Sequence, residues 1–215
     1  MKICKLFLVR HGESASNAGL VTEGPVENPI TEKGRGEAQT LANLWGGRPD
    51  LIVTSPFIRT QQTSEPLRAL HPEVPHEEWA VQEFTQLAPC RYKGTTHADR
   101  GPRVREYWER NDALYNDGAG AESFKDFRHR VERLFDRAAV RFDAGFKEIA
   151  VFTHATFMQA ALYSRLKING LDNMSDFYRF SQGLPVPNVG AMCFQYEVER
   201  DEAPRWLIGP TWSPT

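Results

Sequence analysis

The sequence predicts an α/β fold of three layers, with helices on both faces of a central, mainly parallel sheet. Three observations predict it: short apolar runs rich in strand formers recur along the chain, each ends in a polar step, and a helical segment follows each step. A single domain over residues 1–215 is the expected organisation. A chain of 215 residues can bury a sizeable core, and no linker, repeat or low-complexity tract interrupts it.

The first run, Ile3 to Val9, is almost continuously apolar and stops at Arg10-His11-Gly12, as a strand buried on both faces would. Thr31 then caps a helix whose Ala38, Leu41, Ala42 and Trp45 share one face, and Gly46-Gly47 stops it. The second run is Leu51 to Thr54. Ser55-Pro56 after it reads as a cap with a first-turn proline, and Pro66 should bend or end the helix so begun.

Residues 85–120 mix glycines, prolines and interleaved charges, and read as an insertion or lid with a short helix around Val104 to Leu114. From Glu122 to Phe142, Phe127, Val131, Leu134, Phe135 and Ala138 fall on one wide stripe, which predicts a long helix packed on the sheet. The third run is Ile149 to Thr153. Later, Met192, Phe194, Tyr196 and Val198 alternate with Cys193, Gln195 and Glu197, the pattern of a half-buried strand rather than a central one. Arg205 to Ile208 should pair with it across a turn from Arg200 to Pro204.

Composition sets the class. With 40% hydrophobic and 25% charged residues and a formal net charge of -2, the chain offers no field to attract nucleic acid or an anionic membrane. An anionic ligand would have to be held locally. Cys4, Cys90 and Cys193 are odd in number and show no paired spacing, which argues against a disulfide framework or a zinc cluster and for a reducing, cytoplasmic setting. The apolar run before Arg10 is too short for a signal segment or a membrane span. Nothing in the sequence specifies an oligomeric state.

Position then singles out a site. Arg10 and His11, Arg59 and His154 all follow expected buried strands, and ligands of open parallel sheets bind outside the carboxyl ends of the strands. Two arginines and two histidines gathered there make a cationic pocket suited to phosphate, whose oxygens match guanidinium forks. Each residue has a plainer reading alone: His154 as a loop residue, Arg10 snorkelling, Arg59 pairing with a surface carboxylate, Glu83 solvated like Glu77 and Glu78. Their joint placement favours the site.

The segment Leu8-Val9-Arg10-His11-Gly12-Glu13-Ser14 with Asn17 resembles the signature of the histidine phosphatase, or phosphoglycerate mutase-like, superfamily. Pro29 to Gly34, Ser55 to Thr63 around Arg59, Gln82-Glu83-Phe84, Gly120 to Ser123 with Arg130, and Val151 to His154 resemble its later segments in the same order. The resemblance implies a phosphoglycerate mutase-like fold and a phosphomonoesterase that works through a phosphohistidine. It implies His11 as nucleophile, Arg10, Arg59 and His154 as holders of the transferring group, and Glu83 as proton donor to the leaving oxygen. Asn17 and the backbone N–H of Ala155 would touch phosphate. The scheme calls for no metal and no cofactor, and for a small-molecule phosphate ester as partner. Relatives carry Gly-Gly where this chain has Ala155-Thr156, so Thr156 is expected to narrow the pocket. A phosphoglycerate mutase is the enzymatic alternative, and a non-catalytic phospho-ligand-binding or scaffold protein the alternative of another class.

Other features carry no assigned role. Arg91, Lys93, Arg100, Arg103 and Arg105 are nearly balanced by neighbouring acids and read as a solvated surface. Tyr92, Tyr107, Trp108 and Tyr115 read as packing residues, and His71, His76, His97 and His129 share no face.

Overall fold

The computed structural model describes residues 2–166, 173–199 and 202–212. Strands β1 (Lys2–Arg10), β2 (Leu51–Thr54), β3 (His76–Glu78) and β4 (Glu148–Thr153) run parallel. β5 (Ala191–Val198) and β6 (Arg205–Trp212) extend the sheet antiparallel, and the order across it is β3-β2-β4-β1-β5-β6. The helices are α1 (Glu32–Leu44), α2 (Ile58–Leu70), α3 (His97–Arg110), α4 (Phe124–Asp143), α5 (Ala155–Leu166) and α6 (Met174–Gly183).

Two apolar clusters fill the space on either side of the sheet. Leu41 and Ala42 of α1 and Leu67 of α2 pack on Val9, Ile52 and Phe152. On the other face, α4 and α5 pack on Leu6, Leu8, Val53 and Val151. Three layers result, as expected. The α4 stripe explains why this helix holds its place: Phe127, Phe135 and Phe142 are fully buried, each contributing on the order of 1.5–3 kcal/mol by leaving water. Ser123 caps α4 by accepting the Asp126 N–H, and Thr31 caps α1 by accepting the Gly34 N–H.

Several elements differ from expectation, each for a physical reason. α2 starts at Ile58, because Ser55 Oγ accepts from Phe57 N and is committed to side chains at the centre of the fold. Pro66 neither ends nor shortens that helix; buried Thr63, Ser64 and Leu67 anchor the turns on both sides of it. The helix in residues 85–120 is α3, which begins seven residues before Val104 on a reciprocal Thr96–Asp99 capping box and stops at Asn111 in the left-handed conformation.

β5 is an interior strand, not a half-buried one. Two of the residues alternating with its apolar set are buried: Cys193 packs against Gly209, and Glu197 is bound by Arg205 of β6 at 3.1 Å. β6 pairs with it as expected, although Arg200 and Asp201 of the connecting turn lie outside the described residues. β3 and α6 have no counterpart in the sequence reading. No helix among the described residues is long and apolar enough to cross a membrane.

Candidate active site

The parallel strands end level with one another, and the site grows from their carboxyl ends. Arg10 pairs with Thr153 and Thr54 with Phe152, while His11 N donates to Thr153 O at 3.0 Å and Ser55 N to Phe152 O at 3.2 Å. Register alone therefore brings His11, Ser55 and His154 together. The turn after His11 is pressed onto the start of α1, where a Cβ on Gly12 would lie 2.6 Å from Gly34 O. Two glycines meet backbone to backbone there, which fixes the height of the His11 ring.

His11 is 4% exposed, and its Nδ1 lies 2.7 Å from Gly12 O. With a carbonyl as partner, Nδ1 carries the proton, leaving the Nε2 lone pair free. Its ring centroid is 5.1 Å from that of His154. His154 is fully buried below the cavity surface; its Nε2 lies 2.8 Å from Ser55 Oγ, and its Nδ1 is buried without a protein partner. When Ser55 donates to Nε2, Nδ1 bears a proton with no acceptor, a donor awaiting an anion.

The arginines are held by backbone carbonyls rather than carboxylates. Arg10 Nη1 donates to Val186 O at 2.5 Å and Arg59 Nη1 to Pro25 O at 2.7 Å. Burial pulls the Arg59 pKa down to about 10, still charged at neutral pH, and lowers that of Arg10. Glu83 is half-buried; Oε1 accepts from Phe84 N at 3.0 Å and Oε2 from Thr156 N at 3.3 Å. Its segment is clamped on both sides, since Arg130 Nη1 donates to Ala80 O and Gln82 O, and Glu122 Oε1 accepts from Thr85 N. Arg130 and Glu122 are themselves ion-paired at 2.5 Å.

These side chains border a cavity of about 340 Å³, within the range that holds small ligands. Arg10, His11, Asn17, Arg59, Glu83 and Ala155 line it, while His154 lies beneath its floor and does not. Asn17 stands at the exposed rim, its Oδ1 accepting from Ser14 N and Oγ. Thr156 also lines the cavity, with its N–H turned to Glu83.

Arg100 departs most from expectation. It is 5% exposed, not solvated, and it lines the cavity together with Tyr92 and His97. Tyr107 and Trp108 pack in the core as expected. A signal for Arg100 did exist, for it falls on the four-residue spacing of Val104 and Trp108. No group of three or more His, Cys, Asp or Glu side chains able to hold a metal occurs among the described residues.

Both imidazoles are held neutral. Burial pushes the His11 pKa well below its ordinary value, the Arg59 and Arg10 charges push the same way, and the Gly12 hydrogen bond opposes them. For His154 burial again leads, followed by Arg59 and His11. The unfolded imidazoles protonate near pH 6.5 (about the unperturbed value), the folded ones only at lower pH. In that window the unfolded chain binds more protons, so stability is full above it and lost as pH falls through it. Urea midpoints should therefore decline on acidification, and less steeply in His154→Gln. Equal declines would mean that His154 is not held neutral.

Fold and site together define an α/β protein with a buried histidine between two arginines at the carboxyl end of its sheet. The chain belongs to the histidine phosphatase superfamily (branch 1), whose family model matches residues 6–190. It is 31% identical over 137 residues to an adenosylcobalamin/alpha-ribazole phosphatase of Salmonella typhimurium, covering 62% of this chain and 66%, just under two thirds, of that one. It is 32% identical over 164 residues to a 2,3-bisphosphoglycerate-dependent phosphoglycerate mutase of Gloeobacter violaceus, covering 73% of each. Among solved structures, a mycobacterial glucosyl-3-phosphoglycerate phosphatase superposes with a TM-score of 0.71 at 22% identity, covering 96% of this chain and 97% of that one.

Proposed function

We propose that the protein hydrolyses small phosphate monoesters through a phosphohistidine on His11. The observation that carries this reading is the His11 ring itself: buried, neutral, oriented by Gly12 O, and set in a cavity that Arg10 and Arg59 also line. Nε2 attacks phosphorus, the N–P bond forms as the P–O ester bond breaks, and the ester oxygen leaves with a proton from Glu83. The Glu83 carboxylate so formed stays within reach of the Phe84 and Thr156 N–H groups and takes a proton from water. The resulting hydroxide attacks the phosphohistidine, and inorganic phosphate leaves.

Division of one displacement into two easier ones is the gain from the histidine. The arginine forks of Arg10 and Arg59 supply fixed positive charge and donors to the oxygens in flight. Residues 85–120, which border the cavity through Gln86, Tyr92 and Arg100, act in this reading as its cover.

Turnover of p-nitrophenyl phosphate tests the reading against a scaffold or binding protein, which gives none. That turnover should survive excess EDTA, because side chains supply the positive charge. Loss that added magnesium or zinc restores would contradict the scheme. Similarity to a phosphoglycerate mutase supports a second reading, in which the phosphohistidine passes its phosphoryl group to a glycerate acceptor rather than water. An assay primed with 2,3-bisphosphoglycerate separates the two.

A further inference from the structure

The segment that carries Glu83 has no ladder of its own. Residues 79–88, between β3 and the one-turn helix Pro89–Arg91, form neither helix nor strand, so the main chain there must find its hydrogen bonds elsewhere. Side chains from other elements supply them. Arg130 Nη1 donates to Ala80 O at 3.0 Å and to Gln82 O at 2.8 Å, and Thr153 Oγ1 donates to Val81 O at 2.5 Å. Past Glu83, Thr85 N donates to Glu122 Oε1 at 3.2 Å and Glu122 N donates to Thr85 O at 3.0 Å. Three consecutive carbonyls before Glu83 and the residue two after it are thereby fixed to α4, to β4 and to the turn that starts α4.

Glu122 in turn aims Arg130. Nε and Nη2 of the guanidinium donate to Glu122 Oε2 and Oε1, at 3.2 and 2.5 Å, a two-point pairing that leaves Nη1 directed at the loop. Phe127 and Phe157 flank the guanidinium, with 5.2 and 5.3 Å to their ring centroids, and Phe127 stacks on Phe84, the neighbour of Glu83, at 4.5 Å. A pair this buried is a poor source of stability, because desolvation offsets much of its attraction and apolar residues can often replace it. Its distinctive effect is on placement, since its bonds to the main chain fall on both sides of Glu83. Arg130, Glu122 and Thr153 all lie outside the cavity lining, so they do not meet substrate. We propose that these three are positioning residues for the proton donor, holding the loop so that the Glu83 carboxyl stands at the leaving oxygen. The inference rests on the phosphohydrolase reading, with Glu83 as its acid.

The test is single-turnover phosphoenzyme formation with an alkyl phosphate and with p-nitrophenyl phosphate. Arg130→Gln should slow the alkyl ester by roughly 10- to 100-fold, the scale of a catalytic group displaced by about 1 Å, and p-nitrophenyl phosphate by less than about 3-fold. In a Glu83→Gln background the same substitution should change the alkyl rate by less than about 3-fold, since a donor already lost cannot be misplaced. Arg130→Lys should recover part of the alkyl rate, because it keeps the charge and a donor but not the fork. A merely structural role would slow both esters together, or slow the alkyl ester as much in the Glu83→Gln background as in the wild type. Either result, or an unchanged alkyl rate in Arg130→Gln, overturns the proposal and leaves the hydrolase reading standing. No phosphoenzyme from the wild-type protein would instead refute that reading, and the proposal with it. If Arg130→Gln does not fold, Thr153→Val decides in its place. It frees only Val81 O and should slow the alkyl ester selectively, by about 3- to 10-fold, whereas equal effects on both esters, or none, overturn the proposal.

Discussion

His11→Ala is expected to lower kcat by roughly 10⁴-fold or more for every phosphate ester, whatever its leaving group. In the proposed mechanism the variant removes the atom that accepts the phosphoryl group, and the second histidine, His154, is buried with its Nε2 turned to Ser55. The fold should persist, because deleting an imbalanced buried ring beside two arginines removes a desolvated group rather than a core contact. Circular dichroism and the retained binding of inorganic phosphate check that point. Residual activity within about 10-fold of wild type would assign the nucleophile elsewhere.

Glu83→Gln should show a loss that depends on the leaving group. Alkyl phosphates leave as basic alkoxides unless protonated, so phosphoenzyme formation should slow by about 10²-fold or more, the scale of general acid catalysis. p-Nitrophenolate leaves without help, and its loss should be much smaller. Single-turnover formation of the phosphoenzyme is the measurement, since slow hydrolysis of the intermediate masks the difference at steady state. Equal losses for both esters would remove Glu83 from the acid role. Glutamine keeps the two backbone contacts from Phe84 and Thr156 open to a carbonyl oxygen, so the variant tests the proton and not the placement.

What could be read from the sequence was local. Strands β1, β2 and β4 announce themselves as apolar runs because both faces of a parallel sheet are covered, and the residues just after them, His11, Ser55 and His154, meet at their carboxyl ends. Arg10, His11, Arg59 and His154 are legible for that reason, being set by where strands end. The half-buried reading of β5 failed because burial of its second face depends on Gly209 and Arg205 in a strand that comes later. The burial of Arg100 was only faintly legible, in its spacing with Val104 and Trp108, for a similar reason: Ser16 and Thr22, more than seventy residues away along the chain, create it. Interleaved charges in residues 85–120 gave a surface pattern, and only the folded loop after His11 converts one of those charges into a cavity wall. Pro66 misled because a proline disfavours a helix interior without forbidding it when the turns around it are buried.

The central claim is the covalent intermediate on His11. Rapid acid-free quenching of the protein with a phosphate ester labelled in its phosphoryl group, followed by peptide mapping, tests it most directly. The account predicts one labelled peptide containing His11, in an adduct stable to alkali and lost in acid, and no label in His11→Ala. An acid-stable adduct, or label that persists in that variant, would contradict it.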